Sequence, residues 1–523
     1  MESHLTPIRK TAFFILAAGC LIGIFTSMTS ALWGVWGATL SLGLAGLIFA
    51  AILVWRFPYW VLIFLIVFTV TEALILKFIP GPEQLYATAQ LAGEALVYLM
   101  FGATLIKKFL SRKPFRKTFV DIPLAAFLLG AAVSIAINQA PPAASLLNVR
   151  SAIRYIALFY SVVNLSLSQR QVSQLIKTIL AMGAAEILIG VVQLAGGARL
   201  YSFFAPLQSQ GIRTFAIATL GRELGSVFGS LGDTLYFGLF MLVILALYLN
   251  QIKKINLRTL SVIAVIVVAI GFSYSRASFL LAILMIAVWY IQFYKVRIVH
   301  ALIAGAALLA VFALIVLVNG VQANDQEYVN PRLERQTILE NIVNSFTAQY
   351  VANAQKNRLG ELIWVPPVVA RNAFWFGYGP DQTTTINQLN KTDISNHYNL
   401  RDGSGFEDVY WVAIFAYYGI VGTLAFIALF STGIASAWNI AHRTESALTR
   451  EIATAAYCLW AITPIILFFY RALEFRAFSF FLWLLPALMI NLFARERRAL
   501  QIKSVKEPGQ PSPAHLRVSG ENG

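Results

Sequence analysis

Residues 259–294 read TLSVIAVIVVAIGFSYSRASFLLAILMIAVWYIQFY, a run with a single charge, Arg276. A helix crosses the hydrocarbon core of a bilayer with about 20 apolar residues. The run is too long for one crossing, and its charge falls near the middle. It reads as two membrane helices, 259–275 and 277–294, joined almost without a loop. A charge at membrane depth is expensive, so the Arg276 junction belongs at a membrane face.

The same pattern extends in both directions. Roughly fourteen apolar segments are long enough to span, at about 11–29, 32–54, 58–79, 85–106, 118–138, 152–168, 174–195, 226–249, 259–275, 277–294, 298–319, 408–436, 451–470 and 476–494. The fold class is therefore all-α, a polytopic membrane helix bundle. Composition agrees: of 523 residues 58% are hydrophobic and 12% charged, about half the charge of a soluble domain. Soluble and disordered chains are both excluded. Cys20 and Cys458 lie in apolar runs, which leaves no disulfide framework or metal motif. The first segment lacks a small-residue cleavage site and reads as a span, not as a signal peptide.

The net charge of +16 reads as basic loops on a cytoplasmic face, not as a nucleic-acid surface. Lys107, Lys108, Arg112, Lys113, Arg116 and Lys117 crowd one loop; Lys253, Lys254 and Arg258 another; Arg495, Arg497, Arg498, Lys503 and Lys506 the tail. With fourteen spans these fall on one side. Both termini are then cytoplasmic. The organisation is 1–319 with eleven spans, a large outer loop at 320–407, spans twelve to fourteen at 408–494, and a basic disordered tail at 495–523. The loop is too long for a connector, and its IWVPPVVARNAFWFGYGP is apolar enough to fold or lie on the membrane.

Arginine dominates the outer side. Arg150, Arg154, Arg199, Arg213, Arg222, Arg276, Arg471 and Arg476 occupy helix ends or short loops, and Arg332, Arg335, Arg358, Arg371 and Arg401 the long loop. A guanidinium offers a planar fork that matches phosphate oxygens, whereas lysine is a point charge. A lipid diphosphate headgroup suits such a set. For any one arginine, snorkelling or pairing with a nearby acid is the commoner explanation.

Several motifs in order resemble one family. SVFGSLGDTLYFGLFMLVILAL (226–247), preceded by VVQLAGG, looks like an Arg-then-Phe-Gly segment entering a helix. SYSRAS resembles a Ser-Arg helix junction. NRLGELIWVPPVVARNAFWFGYGP (357–380) is similar to an approach ending in Gly-x-Gly, and EDVYWVAIFAYYGIVGTLAF (407–426) to a loop-closing helix with Gly-x-x-Gly. The family is that of O-antigen ligases and Wzy-type polysaccharide polymerases, and the likeness covers about residues 150–440.

The resemblance implies a metal-independent, cofactor-free glycosyltransferase of a bacterial inner membrane. Its donor would be a glycan on undecaprenyl diphosphate, used at the periplasmic face. Membrane lipids and other polysaccharide-assembly or chain-length proteins are the implied partners. The family's arginines carry over to Arg222, with Arg213 as the alternative, and to Arg276; Arg358 opens the third motif. The ligases place a histidine eleven residues before the first glycine of Gly-x-x-Gly. Here that position is Asp408, after Glu407, and the nearest histidine is His397. An acid there suits polymerase-type members.

The chemistry is displacement at an anomeric carbon. Arginine forks stabilise the departing diphosphate, and a carboxylate or imidazole takes the acceptor proton. Glu407, Asp408 and His397 are the candidates. For the two acids, capping of the following helix is an equally good explanation; for His397 an ordinary loop role is the commoner one. Asp233 is expected to pair with Arg222 or Arg213 or to bind acceptor sugar, a structural pair being the commoner role. The expected function is a polymerase of exopolysaccharide or O-antigen; ligase-type transfer to another acceptor and a lipid-linked oligosaccharide flippase are the alternatives.

Overall fold

A computed structural model of the chain describes residues 46–78, 91–196, 200, 203–204, 227–252, 256–273, 275–294, 358–392, 394 and 408–506. Its main elements are helical, and no strand occurs among the described residues. In chain order they are α1 (Gly46–Arg56), α2 (Pro58–Lys77), α3 (Ala92–Leu110), α4 (Asp121–Asn138), α5 (Pro142–Ala152), α6 (Ile156–Asn164), α7 (Gln169–Ala195), α8 (Thr234–Gln251), α9 (Leu257–Phe272), α10 (Arg276–Tyr294), α11 (Arg358–Asn372), α12 (Gln382–Asn390), α13 (Tyr410–Arg443), α14 (Ala447–Ile466) and α15 (Arg476–Lys506). Six of them are long and apolar enough to cross a membrane, or seven if the bent pair α5–α6 is one span. The expected spans 11–29 and 298–319 and most of 32–54 lie outside the described residues.

The sequence of α8, TLYFGLFMLVILALYLNQ, is apolar on every face. A helix with no polar side has to be buried, and α8 packs against α7, α9, α10, α14 and α15. Peripheral helices expose apolar side chains instead: Trp60 and Phe64 on α2, Ile122 and Leu129 on α4, Leu188 on α7. Large apolar exposure on several faces suits lipid, not water. This is the fold of a multi-pass helical membrane protein.

Three expectations change. The span predicted at 152–168 holds only the nine-residue α6, which meets the preceding α5 at 52°. Prolines 141 and 142 start α5 early, with Pro142 at the first position, where its missing N–H costs nothing. The turn at Ile153–Tyr155 then aims Arg154 at partners described below. The last span does not end at 494: α15 runs to Lys506, so residues 495–506 of the supposed disordered tail are helical. Arg495 donates to Leu167 O at 2.8 Å, Glu496 accepts the Glu445 N–H at 2.7 Å, and Ala-Arg-Glu-Arg-Arg-Ala-Leu favours helix. The helix expected at 408–436 runs from Tyr410 to Arg443 but is interrupted at Gly419 (φ 62°, ψ −161°).

That interruption is filled by the chain between α11 and α12. Tyr378 N–H donates to Ala416 O at 2.7 Å and Gly379 N–H to Tyr417 O at 3.2 Å; in return Ile420 N–H donates to Phe374 O at 2.7 Å and Val421 N–H to Trp375 O at 3.3 Å. The backbones touch. A Cβ on Gly377 would lie 2.5 Å from Ala416 O, and one on Gly419 would lie 2.4 Å from the Trp375 carbonyl carbon. From α4, the Ser134 hydroxyl shares its one hydrogen between Phe376 O (2.6 Å) and Tyr417 O (2.8 Å), and Asn138 donates to Gly377 O at 3.0 Å. The Gly-x-Gly turn and the Gly-x-x-Gly helix are one interlocked unit.

Gly419→Ala should cost about 1–3 kcal/mol in backbone strain alone and lower the melting temperature in detergent. Gly102→Ala, where a new Cβ meets nothing within 4 Å, should be neutral or slightly stabilising; equal melting of the two variants would contradict the interlock.

Candidate functional site

The interlock fixes α11 against the start of α13, and two sequence-selected residues meet there. Arg358 Nε lies 3.8 Å from Asp408 Oδ2, with both side chains roughly half exposed. The Arg358 guanidinium also sits 5.0 Å from the centroid of Tyr470. One turn along α11, buried Glu361 accepts the Val409 N–H at 2.9 Å. Residues 358 and 361 share a helix face, so α11 grips the incoming chain with a side-chain ion pair and a backbone hydrogen bond. Asp408 is not the helix cap: that position is Val409, which makes no side-chain cap bond.

The charged surface continues from contact to contact. Arg471, next to Tyr470, pairs with Glu474 at 3.5 Å. The Glu474 carbonyl accepts from Arg154 at 2.7 Å. Arg154 then meets Glu94 at 3.3 Å, Arg150 meets it at 3.1 Å, and Arg476 bridges Glu94 (3.8 Å) and Glu72. Glu94 is only 3% exposed. A buried carboxylate needs such partners, because desolvating a lone charge costs several kcal/mol. Three guanidiniums against two carboxylates leave this cluster with one excess positive charge. Between it and the glycine interlock lies a narrow cleft bordered by Asn148, Ser151, Tyr410, Tyr417 and Glu474. Burial pushes the Tyr378 phenol above its ordinary value.

A second polar knot holds the Phe-Gly segment. Glu186, fully buried on α7, accepts the Ser230 N–H at 2.7 Å and the Ser230 hydroxyl. Gln193, in the VVQLAGG motif, donates to Gly229 O at 2.8 Å and accepts from Phe228 N–H (3.2 Å) and Gly229 N–H (3.1 Å). Asp233 caps α8 by accepting the Leu235 N–H at 2.7 Å; its expected arginine partners lie outside the described residues. In the Ser-Arg junction, Ser275 accepts the Ser278 N–H at 3.4 Å and Arg276 begins α10.

Of the residues selected from sequence, Arg358 and Asp408 come together and Arg276 heads its helix. Arg213, Arg222, His397 and Glu407 lie outside the described residues. Arg150, Arg154, Arg471 and Arg476 are paired with acids, the commoner of the two explanations for an interfacial arginine. Sequence reading passed over the acids themselves: Glu72, Glu94, Glu186 and Glu361. Each interrupts an apolar run (VTEALIL, AGEALV, AAEILIG, GELIWV), and an acid in such a run implies a partner. Among the described residues no three His, Cys, Asp or Glu side chains form a metal-binding group. No protein-family model matches the chain, and no curated protein matches it either.

Glu94→Gln removes the charge that three arginines face and should destabilise the fold by about 3 kcal/mol or more. Arg150→Ala, at a 30% exposed side chain, should cost under about 1 kcal/mol. Thermal or denaturant unfolding in detergent checks the order; a harmless Glu94→Gln would mean the cluster is solvated.

Proposed function

We propose that this protein is a Wzy-type polysaccharide polymerase of a bacterial inner membrane, with both termini cytoplasmic and the Arg358–Asp408 end at the periplasmic face. It would transfer a growing glycan from undecaprenyl diphosphate to a lipid-linked repeat unit. The observation that carries the reading is the meeting of Arg358 and Asp408. They come from two motifs fifty residues apart in sequence, and each was selected for a different role, diphosphate binding and proton removal.

The pair suits a coupled reaction. An ion pair this long and this exposed is worth little, under about 1 kcal/mol. A diphosphate offers the guanidinium a stronger, two-pronged partner. When the donor diphosphate takes Arg358, Asp408 is released as a carboxylate beside it. The acceptor hydroxyl then attacks the anomeric carbon and passes its proton to that carboxylate. The bond from the anomeric carbon to the diphosphate oxygen breaks, and its electron pair leaves on the diphosphate. Arg222 and Arg276 hold the same diphosphates, with Arg213 as the alternative to Arg222; Glu407 and His397 are the other candidate bases. Lipid diphosphate energy drives the transfer without a nucleotide.

Asp408→Asn should lower turnover on a lipid-linked repeat unit by roughly 10²-fold or more, the scale of a lost general base, with protein level unchanged. Arg358→Lys keeps the charge and loses the fork, so it should weaken donor binding. In cells lacking the protein, single repeat units should accumulate on the outer leaflet. Long chains left on the carrier would instead mean a ligase, and repeat units trapped on the inner leaflet would mean a flippase.

A further inference from the structure

At the far end of α13 from Asp408, α13 and α15 part to leave an open groove of about 430 Å³. On α13 its wall is Thr432, Ser436, Asn439 and Arg443; on α15 it is Phe493 and Arg497. The α13 residues repeat every three or four positions and so form one stripe, about 16 Å long. Small side chains, Ala435 and Ser436, hold the groove open along its length, and both arginines stand at its helix-end mouth. The Arg497 guanidinium lies 5.7 Å from the centroid of the Phe493 ring one turn earlier, which directs it along the groove.

Both arginines are exposed. Among the described residues neither has a carboxylate at ion-pair distance. The acid next to Arg497, Glu496, is already engaged by the Glu445 N–H at 2.7 Å and by the Thr444 hydroxyl. This contrasts with the opposite end, where Arg150, Arg154, Arg471 and Arg476 all have acidic partners. Lipid-facing apolar residues border the same helix: Leu424, Ile427 and Trp438 are exposed on α13. A slot with an apolar floor, hydroxyl and amide groups along it and, at its mouth, two guanidiniums without an acidic partner among the described residues matches one chemistry.

We propose that this groove binds an anionic glycerophospholipid, its phosphate between Arg443 and Arg497 and one acyl chain running toward Thr432. Arg443 and Arg497 supply forked donors to the phosphate oxygens, and Asn439 reaches the glycerol oxygens. The lipid wedges α13 against α15 and so braces the helix whose other end follows two residues after Asp408. The site is separate from the glycan chemistry and does not rest on it.

The test is native mass spectrometry of the full-length protein after detergent exchange, titrated with phosphatidylglycerol, phosphatidylcholine or inorganic phosphate. One phosphatidylglycerol should be retained at least tenfold more tightly than phosphatidylcholine. Arg443→Gln with Arg497→Gln should remove that preference. Ser436→Leu, which fills the groove and leaves both arginines, should also lower retention at least tenfold; it decides the matter if the double variant does not fold. Equal retention of the two lipids would overturn the proposal. So would lipid binding unchanged by Ser436→Leu, or displacement of the lipid by equimolar inorganic phosphate, which would mark a free-phosphate site.

Discussion

A peptide group released inside an apolar bundle has to find a partner, and at Gly419 four are released at once. Ala416 O, Tyr417 O, Ile420 N–H and Val421 N–H have no place in a regular helix across that kink. Each would cost several kcal/mol if left bare in hydrocarbon. The turn at 374–379 supplies all four partners, and its own groups are satisfied in the same exchange. From this follow the fixed position of α11, the approach of Arg358 to Asp408, and the seat for Ser134 and Asn138 on α4.

Electrostatics extends the same logic to side chains. Glu94 has almost no access to solvent, yet three arginines converge on it from α5, the α5–α6 turn and α15. The 52° bend of α5 against α6 is what lets Arg150 and Arg154 reach one carboxylate. Helix geometry and charge pairing are therefore one solution. The bend would expose polar backbone without the charges, and the charges would lack partners without the bend.

Much of this was legible from residue order. The helical class and the apolar spans follow from hydropathy, whereas the two glycine motifs stood out through the family resemblance. Asp408 was marked by its place in the family pattern, and Arg358 by its place in the arginine-rich long loop at the head of a family-like motif. The break at Ile153–Tyr155 was not legible: neither proline nor glycine marks it, and only the tertiary pull of Glu94 and Glu474 explains it. Nor was the role of Glu361, whose partner is a backbone N–H forty-eight residues on and leaves no side-chain pattern. The last helix runs past its expected end because Arg495 and Glu496 find partners at Leu167, ahead of α7, and at Glu445, between α13 and α14.

The seat on α4 also imposes an order of assembly. Ser134 and Tyr417, which meet through one hydroxyl, are 283 residues apart in the chain. A ribosome adding about 5–20 residues per second needs on the order of tens of seconds to make that interval. Throughout it, Ser134 and Asn138 sit in an inserted helix with their eventual partners not yet synthesised. The first half of the bundle is thus a waiting scaffold, and its polar groups hold the socket into which the nascent second half clicks.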